Sequence, residues 1–286
     1  MSRRLDQAAQ QVEDALGHQS DIQFIENTND LKRKYQGLTL SLTYRLSGRT
    51  DVGGNYTLSR LWGNFDGENT TSGPTTSTLF SYPEYRQASW YSPEGDLSAD
   101  QRHRSRLWIN YGVPKIPALT VSILETMSSG VPYGAVGTVD ATPYVTNPGY
   151  ITPQGGASET YYYTPRDAFR TDGEFRTDLA ASLNHSVGGS HKLNLFVQMH
   201  VLNLFNQFQL CGCGGSVFAN GGNVLLANIN TGVLSPNGTS RPNFNPFTQQ
   251  PVQGVNWDFA PGFGTAQSRM AFTSPREFRV TFGVRF

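Results

Sequence analysis

Five histidines are the first residues to consider for metal binding or acid–base catalysis, because imidazole binds metals and titrates near neutral pH. They are scattered along the chain, at His18, His103, His185, His191 and His200. His191 and His200 are separated by an odd number of residues within one predicted strand, so their side chains point to opposite faces. No spacing typical of zinc proteases or zinc fingers occurs. The sequence therefore predicts no shared metal site.

The two cysteines, Cys211 and Cys213, flank Gly212 in a long predicted loop. Two thiols cannot form a disulfide framework. The sequence favours incidental loop thiols, and it leaves open a disulfide in an oxidising exterior or a site for a soft metal.

Acidic side chains offer little sign of catalysis. Asp178 and Glu277 lie on the polar side of predicted strands, where Arg176, Arg279 and Arg285 are their nearest basic neighbours. This arrangement favours solvated ion pairs over a catalytic pair. No nucleophile elbow, phosphate-binding loop or dinucleotide fingerprint is present in the sequence. We therefore expect no enzymatic activity and no cofactor.

The composition is typical of many strands separated by polar turns, with 37% hydrophobic residues, 12% aromatic residues, 30 glycines and 16 prolines. The 22 basic and 22 acidic residues cancel, so no charge excess points to nucleic acid as a partner. No apolar run approaches the ~20 residues that a membrane helix needs.

The N-terminal region, residues 1–20, is predicted to be a short helix or loop remnant. Over residues 3–16 the apolar positions recur at roughly helical spacing. The basic start is followed by an acidic, glutamine-rich stretch instead of the apolar core of a signal peptide. We expect any exporting segment to be missing from this chain.

Beyond residue 20 the apolar residues recur with a period of two, which predicts strands with one apolar and one polar face. In YQGLTLSLTYRLS, for example, Leu38, Leu40 and Leu42 alternate with Thr39 and Ser41. About eight strands are predicted, near 21–28, 35–46, 50–62, 101–113, from 119 onward, 175–184, 193–201 and 278–286.

The connections alternate in length through these strands. Three are tight turns, at 47–50, 114–117 and 187–190, and three are long polar loops, at 63–100, 131–172 and 206–272. In an up-and-down sheet this alternation places every short turn at one end. A soluble β-sandwich also has alternating strands. The segregated loops, the charged residues in mid-strand and the aromatic residues near strand ends favour a transmembrane β-barrel instead.

Two charged residues, Arg60 and Glu125, occupy positions that the period of two assigns to the apolar face of their strands. Both are predicted to lie toward the long-loop ends, where a charge on the lipid face of a barrel costs about 0–1 kcal/mol.

The last predicted strand ends the sequence on an aromatic ring. Its apolar set alternates with polar residues and would form a stripe, each side chain contributing about 1.5–3 kcal/mol when removed from water. The set comprises Phe278, Val280, Phe282, Val284 and Phe286.

Several stretches together resemble the C-terminal barrel of TonB-dependent outer-membrane receptors, most closely the Oar-like branch with a carboxypeptidase-regulatory-like domain. The resemblance covers about residues 20–286. It is carried by RKYQGLTLSLTYRLS, NYTLSRLWGN, DQRHRSRLWINYGVP, SSGVPYGAVG, VLNLFNQ, NPFTQQPVQGVNW and SPREFRVTFGVRF.

The resemblance implies a bacterial outer-membrane protein that imports a bulky nutrient through a 22-stranded barrel filled by an N-terminal plug. Residues 21–286 would be the C-terminal third of that barrel, without plug or TonB box. The implied partners are outer-membrane lipid, the barrel-assembly machinery and, only through the missing plug, the TonB complex. The terminal stripe ending at Phe286 matches the signal that the assembly machinery recognises in this family. The long loops would form an external vestibule for the nutrient.

Two other functions remain open at this stage. Eight strands can close into a small filled barrel that displays its loops as an adhesin. A secreted β-sandwich that binds carbohydrate is the soluble alternative, and a requirement for detergent would separate it from both membrane proteins.

Overall fold

The structure is a computed structural model that describes residues 29–66, 82–187 except 152, 154 and 157, 193–211, 228–236 and 241–285. The predicted helix over residues 3–16 and the predicted strand near 21–28 lie outside these ranges. No helix of the described part is long and apolar enough to cross a membrane.

A four-residue helix, α1, spans Ala88–Tyr91, and short 3-10 helices span Pro83–Tyr85, Thr142–Tyr144 and Arg269–Ala271. The strands are β1 (Arg33–Ser47), β2 (Thr50–Gly63), β3 (Gly95–Asp96), β4 (His103–Gly112), β5 (Leu119–Ser128), β6 (Pro132–Tyr133), β7 (Val136–Asp140), β8 (Ser158–Tyr162), β9 (Phe169–Arg170), β10 (Glu174–Val187), β11 (Leu193–Leu202), β12 (Val233–Leu234), β13 (Asp258–Phe259) and β14 (Glu277–Arg285).

One antiparallel sheet dominates the molecule. Its long strands follow the order β1-β2-β4-β5-β10-β11-β14, and the short strand β3 pairs with the end of β2. Each long strand lies next to the long strand that follows it in the chain, so the predicted all-β, antiparallel, up-and-down arrangement is confirmed. Over the described residues β1 and β14 each pair on one side only, and the sheet is open.

The turns are sorted by length between the two ends of the sheet. Ser47 pairs with Thr50, Gly112 with Thr120, and Val187 with Leu193, so three tight connections share one end. The long connections after β2, β5 and β11 leave from the other end. This confirms the predicted segregation of short and long connections.

The long connections fold against one another into a compact unit, here called the loop assembly (82–100, 130–172 except 152, 154 and 157, 228–236 and 241–273). Short ladders between β6 and β9, β7 and β8, and β12 and β13 stabilise it. Its core draws on all three connections and is largely aromatic. The buried members are Trp90, Ala135, Val139, Ala141, Tyr161, Tyr163, Phe244 and Trp257.

Three tyrosines of the long connections lie in the interior of the loop assembly. Tyr85, Tyr161 and Tyr163 are all buried. The rings of Tyr161 and Tyr163 lie 4.9 Å apart between their centroids. Burial raises the pKa of Tyr163 to about 12. These three rings stabilise the loop assembly and are not available at its surface.

Candidate functional site: an exposed apolar sheet face

The large sheet has one continuous apolar side, here called the apolar face. Residues directly opposite each other in an antiparallel ladder point to the same side, so the strand register identifies the residues that share it. One row crosses all seven long strands without a polar residue. It consists of Tyr44, Val52, Ile109, Ile123, Leu179, Val201 and Phe278.

Much of the apolar face is open. Leu42 is 70% exposed and Phe282 is 81% exposed, and Leu107 and Val197 are also exposed. In a β-sandwich these side chains would pack against a second sheet about 10 Å away. The other sheets of the described chain have two strands each and leave this face uncovered. Monomeric soluble proteins rarely expose apolar patches above a few hundred Å².

The opposite side of the sheet is polar. Its matching row runs through Arg45, Asp51, Asn110, Ser122, Ala180, His200 and Arg279. The Asn110 side chain donates a hydrogen bond of 2.7 Å to Asp51 across the strands. The two faces therefore differ in polarity along the same stretch of every long strand, as the period of two predicted.

Ion pairs form where the sequence favoured them over a catalytic pair. Arg176 Nε lies 3.2 Å from Asp178 Oδ2, and Arg279 Nε lies 2.6 Å from Glu277 Oε1. Arg285 has a different neighbour: its guanidinium carbon lies 4.9 Å from the ring centroid of Phe196.

The two charged residues that the sequence placed on the apolar side of their strands, Arg60 and Glu125, both have polar partners. Arg60 Nε lies 3.0 Å from Asp96 Oδ1. The Glu125 carboxylate accepts a hydrogen bond from the hydroxyl of Thr177, which lies directly opposite it in the ladder. Each charge is thus neutralised or hydrogen-bonded toward the long-connection end of the face.

The candidate histidines among the described residues do not lie together. His103 Nδ1 and the Tyr56 hydroxyl lie 2.7 Å apart, whereas His200 lies opposite Arg279 on the polar face. The described residues contain no group of three or more side chains that could hold a metal. Cys211 is disulfide-bonded, so the favoured interpretation of it as an incidental loop thiol is wrong. His18, His191 and Cys213 lie outside the described ranges.

The last strand, β14, carries the predicted apolar stripe. Phe278, Val280, Phe282 and Val284 are all exposed and lie opposite apolar residues of β11. Phe286 lies outside the described residues. The stripe is confirmed over β14, and its recognition by barrel-assembly machinery stays a prediction.

A charged cluster joins the loop assembly to the sheet; we call it the junction network (Arg60, Asp96, Asp100, Arg102 and Arg170). Asp96 accepts hydrogen bonds from all three arginines. Asp100 accepts from Arg102 and Arg170, and its second oxygen accepts the backbone N–H of Leu61 at 2.7 Å. Three cations and two anions leave this network with a net charge of +1.

The junction network should make the loop assembly sensitive to acid. Burial favours the neutral carboxyl of Asp96, but hydrogen bonds from Arg60, Arg102 and Arg170 favour the carboxylate and hold its pKa below the ordinary value of 3.8. A carboxyl whose pKa is lower in the folded chain stabilises it fully above about pH 4, and this stabilisation is lost as the pH falls through the folded value. We expect the fluorescence of Trp90 and Trp257 to report loosening of the assembly below about pH 4.

Replacement of Asp96 by asparagine provides the control for this acid transition. The variant cannot lose a charge at position 96, so its assembly should be weaker at pH 7 and should change less between pH 7 and pH 3. An acid transition of the same size in the variant would contradict a role for Asp96.

A groove in the apolar face is a feature that the sequence analysis missed. It has a volume of about 550 Å³ and lies at the long-connection end, where Tyr56, His103, Met127 and Phe175 line it. Its floor includes Ser105, which is buried. The feature of the sequence that could have indicated the groove is this small residue on the apolar side of β4, between His103 and Leu107.

Comparison with protein-family models, with curated proteins and with solved structures finds no match for this chain.

Proposed function

We propose that this chain is a membrane-embedded part of a bacterial outer-membrane β-barrel, the C-terminal strands of a TonB-dependent receptor that takes up a bulky nutrient. The observation that carries the proposal is the exposed apolar face. It extends without interruption over seven strands, from Tyr44 on β1 to Phe278 on β14. Acyl chains are the solvent in which such a surface is stable.

The strand lengths support this environment. A tilted strand of about 9–11 residues spans a bilayer. Strands β4, β5 and β11 have 10 residues each, and β1 has 15. The longer strands would extend beyond the lipid at one or both ends.

The open edges favour a part of a wider barrel over a complete small one. Within the described residues β1 and β14 each pair on one side only. In lipid every backbone N–H and C=O must be paired, so these two edges need further strands beside them. In a wide barrel the polar row from Arg45 to Arg279 would face an aqueous lumen. The loop assembly would then stand on the external side, where it offers the nutrient a preformed surface.

Transfer from denaturant tests this proposal. The chain is diluted either into phospholipid vesicles or into buffer without detergent, and both samples are treated with protease. We expect the long strands to be protected only in the vesicles, because only acyl chains can cover the apolar face. Heat-denatured chain added to the same vesicles provides the control for simple adsorption.

A folded, protease-resistant monomer in detergent-free buffer would contradict the membrane location. Insertion as a sealed pore-free barrel of one chain would instead contradict the need for additional strands at the two edges. Vesicle leakage and chemical cross-linking distinguish that outcome from assembly of several copies.

A further inference from the structure

We propose that the apolar face carries, beside the loop assembly, a docking site for an anionic lipid with several acyl chains. This inference rests on the proposed membrane location and adds a specific ligand class to it. Two neighbouring grooves for acyl chains and a cationic cluster at their ends carry the inference.

The first groove is the one described above. Tyr56, Ser105, Met127 and Phe175 lie in one ladder row on the apolar face, so their side chains share that side of four successive strands. Ser105 is buried between these larger neighbours and leaves a depression of about 550 Å³. Gly173 and Gly130 also line it. An acyl chain fits an apolar depression of this kind because it brings no polar group that needs a partner.

The second groove lies on the neighbouring strands β1 and β2. It has a volume of about 410 Å³, and Leu38 and Leu58 form its apolar wall. Leu58 lies directly opposite His103, which lines the first groove, so the two grooves adjoin. A lipid with two or more acyl chains can occupy both grooves at once.

The charges next to the grooves select an anionic headgroup. Arg60 and Arg102 line the second groove, and the Arg60 side chain is 51% exposed. Both belong to the junction network, whose net charge is +1. Lys34 lies two residues before Gln36 on the same face of β1 and adds a further positive charge. Arginine guanidinium groups bind phosphate through paired N–H donors.

The junction network keeps donor capacity for such a ligand. Arg60 donates through Nε to Asp96, and its guanidinium also lies 5.3 Å from the ring centroid of Trp62. The Asp96 contact holds the Arg60 side chain at the junction network. A phosphate at the membrane boundary would meet a positioned cation there.

Binding of diphosphoryl lipid A to the full chain in phosphatidylcholine vesicles tests the proposal. We expect the chain to bind it about tenfold more tightly than the same lipid without phosphates, because the guanidinium–phosphate contacts are lost. Inorganic phosphate alone is the second probe, and we expect it not to compete at concentrations where the lipid saturates. Protease protection measured in the same vesicles reports insertion independently of lipid binding.

Two variants separate the grooves from the charge. Ser105→Phe fills the first groove and should weaken binding of both lipids about tenfold. Ala181→Phe adds the same ring to the apolar face nearer the short turns and should leave binding unchanged. Arg60→Gln keeps the groove volume and should reduce only the preference for the phosphorylated lipid.

Several results would overturn the proposal. If the normally inserted chain binds both lipids with equal affinity, the site does not select the phosphates, and this proposal is wrong while the membrane location is unaffected. Full competition by inorganic phosphate would identify a site for a free anion. Cross-linking of two copies through the groove would identify a second chain as the occupant. Failure of the chain to insert into vesicles would overturn both the lipid site and the membrane location.

Discussion

Replacing Ile123 by arginine should lower the free energy of unfolding of the bilayer-inserted chain by about 2–4 kcal/mol. Ile123 lies in the middle of β5, in the apolar row that crosses all seven long strands. Its side chain is 40% exposed and has room for a larger residue. The cost therefore comes from placing a cation in acyl chains near the bilayer centre, and it can be measured by reversible denaturant unfolding from vesicles.

The neighbouring residue supplies the matched control. Ser122 lies one position earlier on the same strand, and the alternation of the sheet places it in the polar row beside Asn110 and Ala180. Ser122→Arg should change the free energy of unfolding by no more than about 0.5 kcal/mol, as for an ordinary solvated site. If the two variants have equal effects, the two faces meet the same solvent and the membrane assignment is wrong.

The prediction distinguishes lipid from water because exposure has opposite consequences in the two solvents. In water, an arginine at a half-exposed strand position is a mild change and reduces an apolar patch. In lipid, the same exposure brings the charge into contact with hydrocarbon. A destabilised Ile123→Arg beside a neutral Ser122→Arg would therefore indicate an apolar medium on one side of the sheet.

The large sheet could be predicted from the sequence because its signal is local. Alternation within β1 and within β14 is visible in a few consecutive residues, and the short turns fix which strands are neighbours. The register then follows from aligning the apolar sets. Arg60 and Glu125 also lie on the side of the sheet that the alternation predicted. Their hydrogen-bond partners, Asp96 and Thr177, lie on other strands, and the alternation does not reveal them.

The loop assembly could not be predicted in the same way. Tyr161 and Tyr163 meet Trp90 and Trp257 through contacts between distant parts of the chain, and no period marks them. Glycine, proline and asparagine separate these rings in the sequence, so the composition resembles that of solvated loops. Strand β3 is also hidden, because two residues are too few to show alternation.

The grooves and the junction network depend both on local features of the sequence and on contacts between distant parts of the chain. The sequence shows a serine, Ser105, on the apolar side of β4, but the depression exists only because Tyr56 and Met127 lie on the strands on either side of it. Asp96 and Arg170 are far apart in the chain and meet only when the long connections fold back.

Replacing Arg166 by methionine should destabilise the loop assembly by about 3–5 kcal/mol. The Arg166 guanidinium pairs with Asp66, and the two side chains are 5% and 2% exposed. Asp66 also accepts hydrogen bonds from the backbone N–H and the hydroxyl of Ser98. Without Arg166 the buried carboxylate of Asp66 would keep the hydroxyl and amide donors of Ser98 but lose the positive charge of this guanidinium. Denaturant unfolding followed by the fluorescence of Trp90 and Trp257 measures the loss.

An exposed ion pair gives the comparison that isolates burial as the cause. Lys32 Nζ lies 3.4 Å from Glu94 Oε2, with both side chains about half exposed, so Lys32→Met should cost no more than about 1 kcal/mol. Combining Arg166→Met with Asp66→Asn removes the uncompensated charge and should recover part of the lost stability. Equal effects of Arg166→Met and Lys32→Met would show that the buried pair does not hold the long connections together. Because Asp66 follows β2 and Arg166 precedes β9, a large effect would identify this pair as the tie between two separate connections above the sheet.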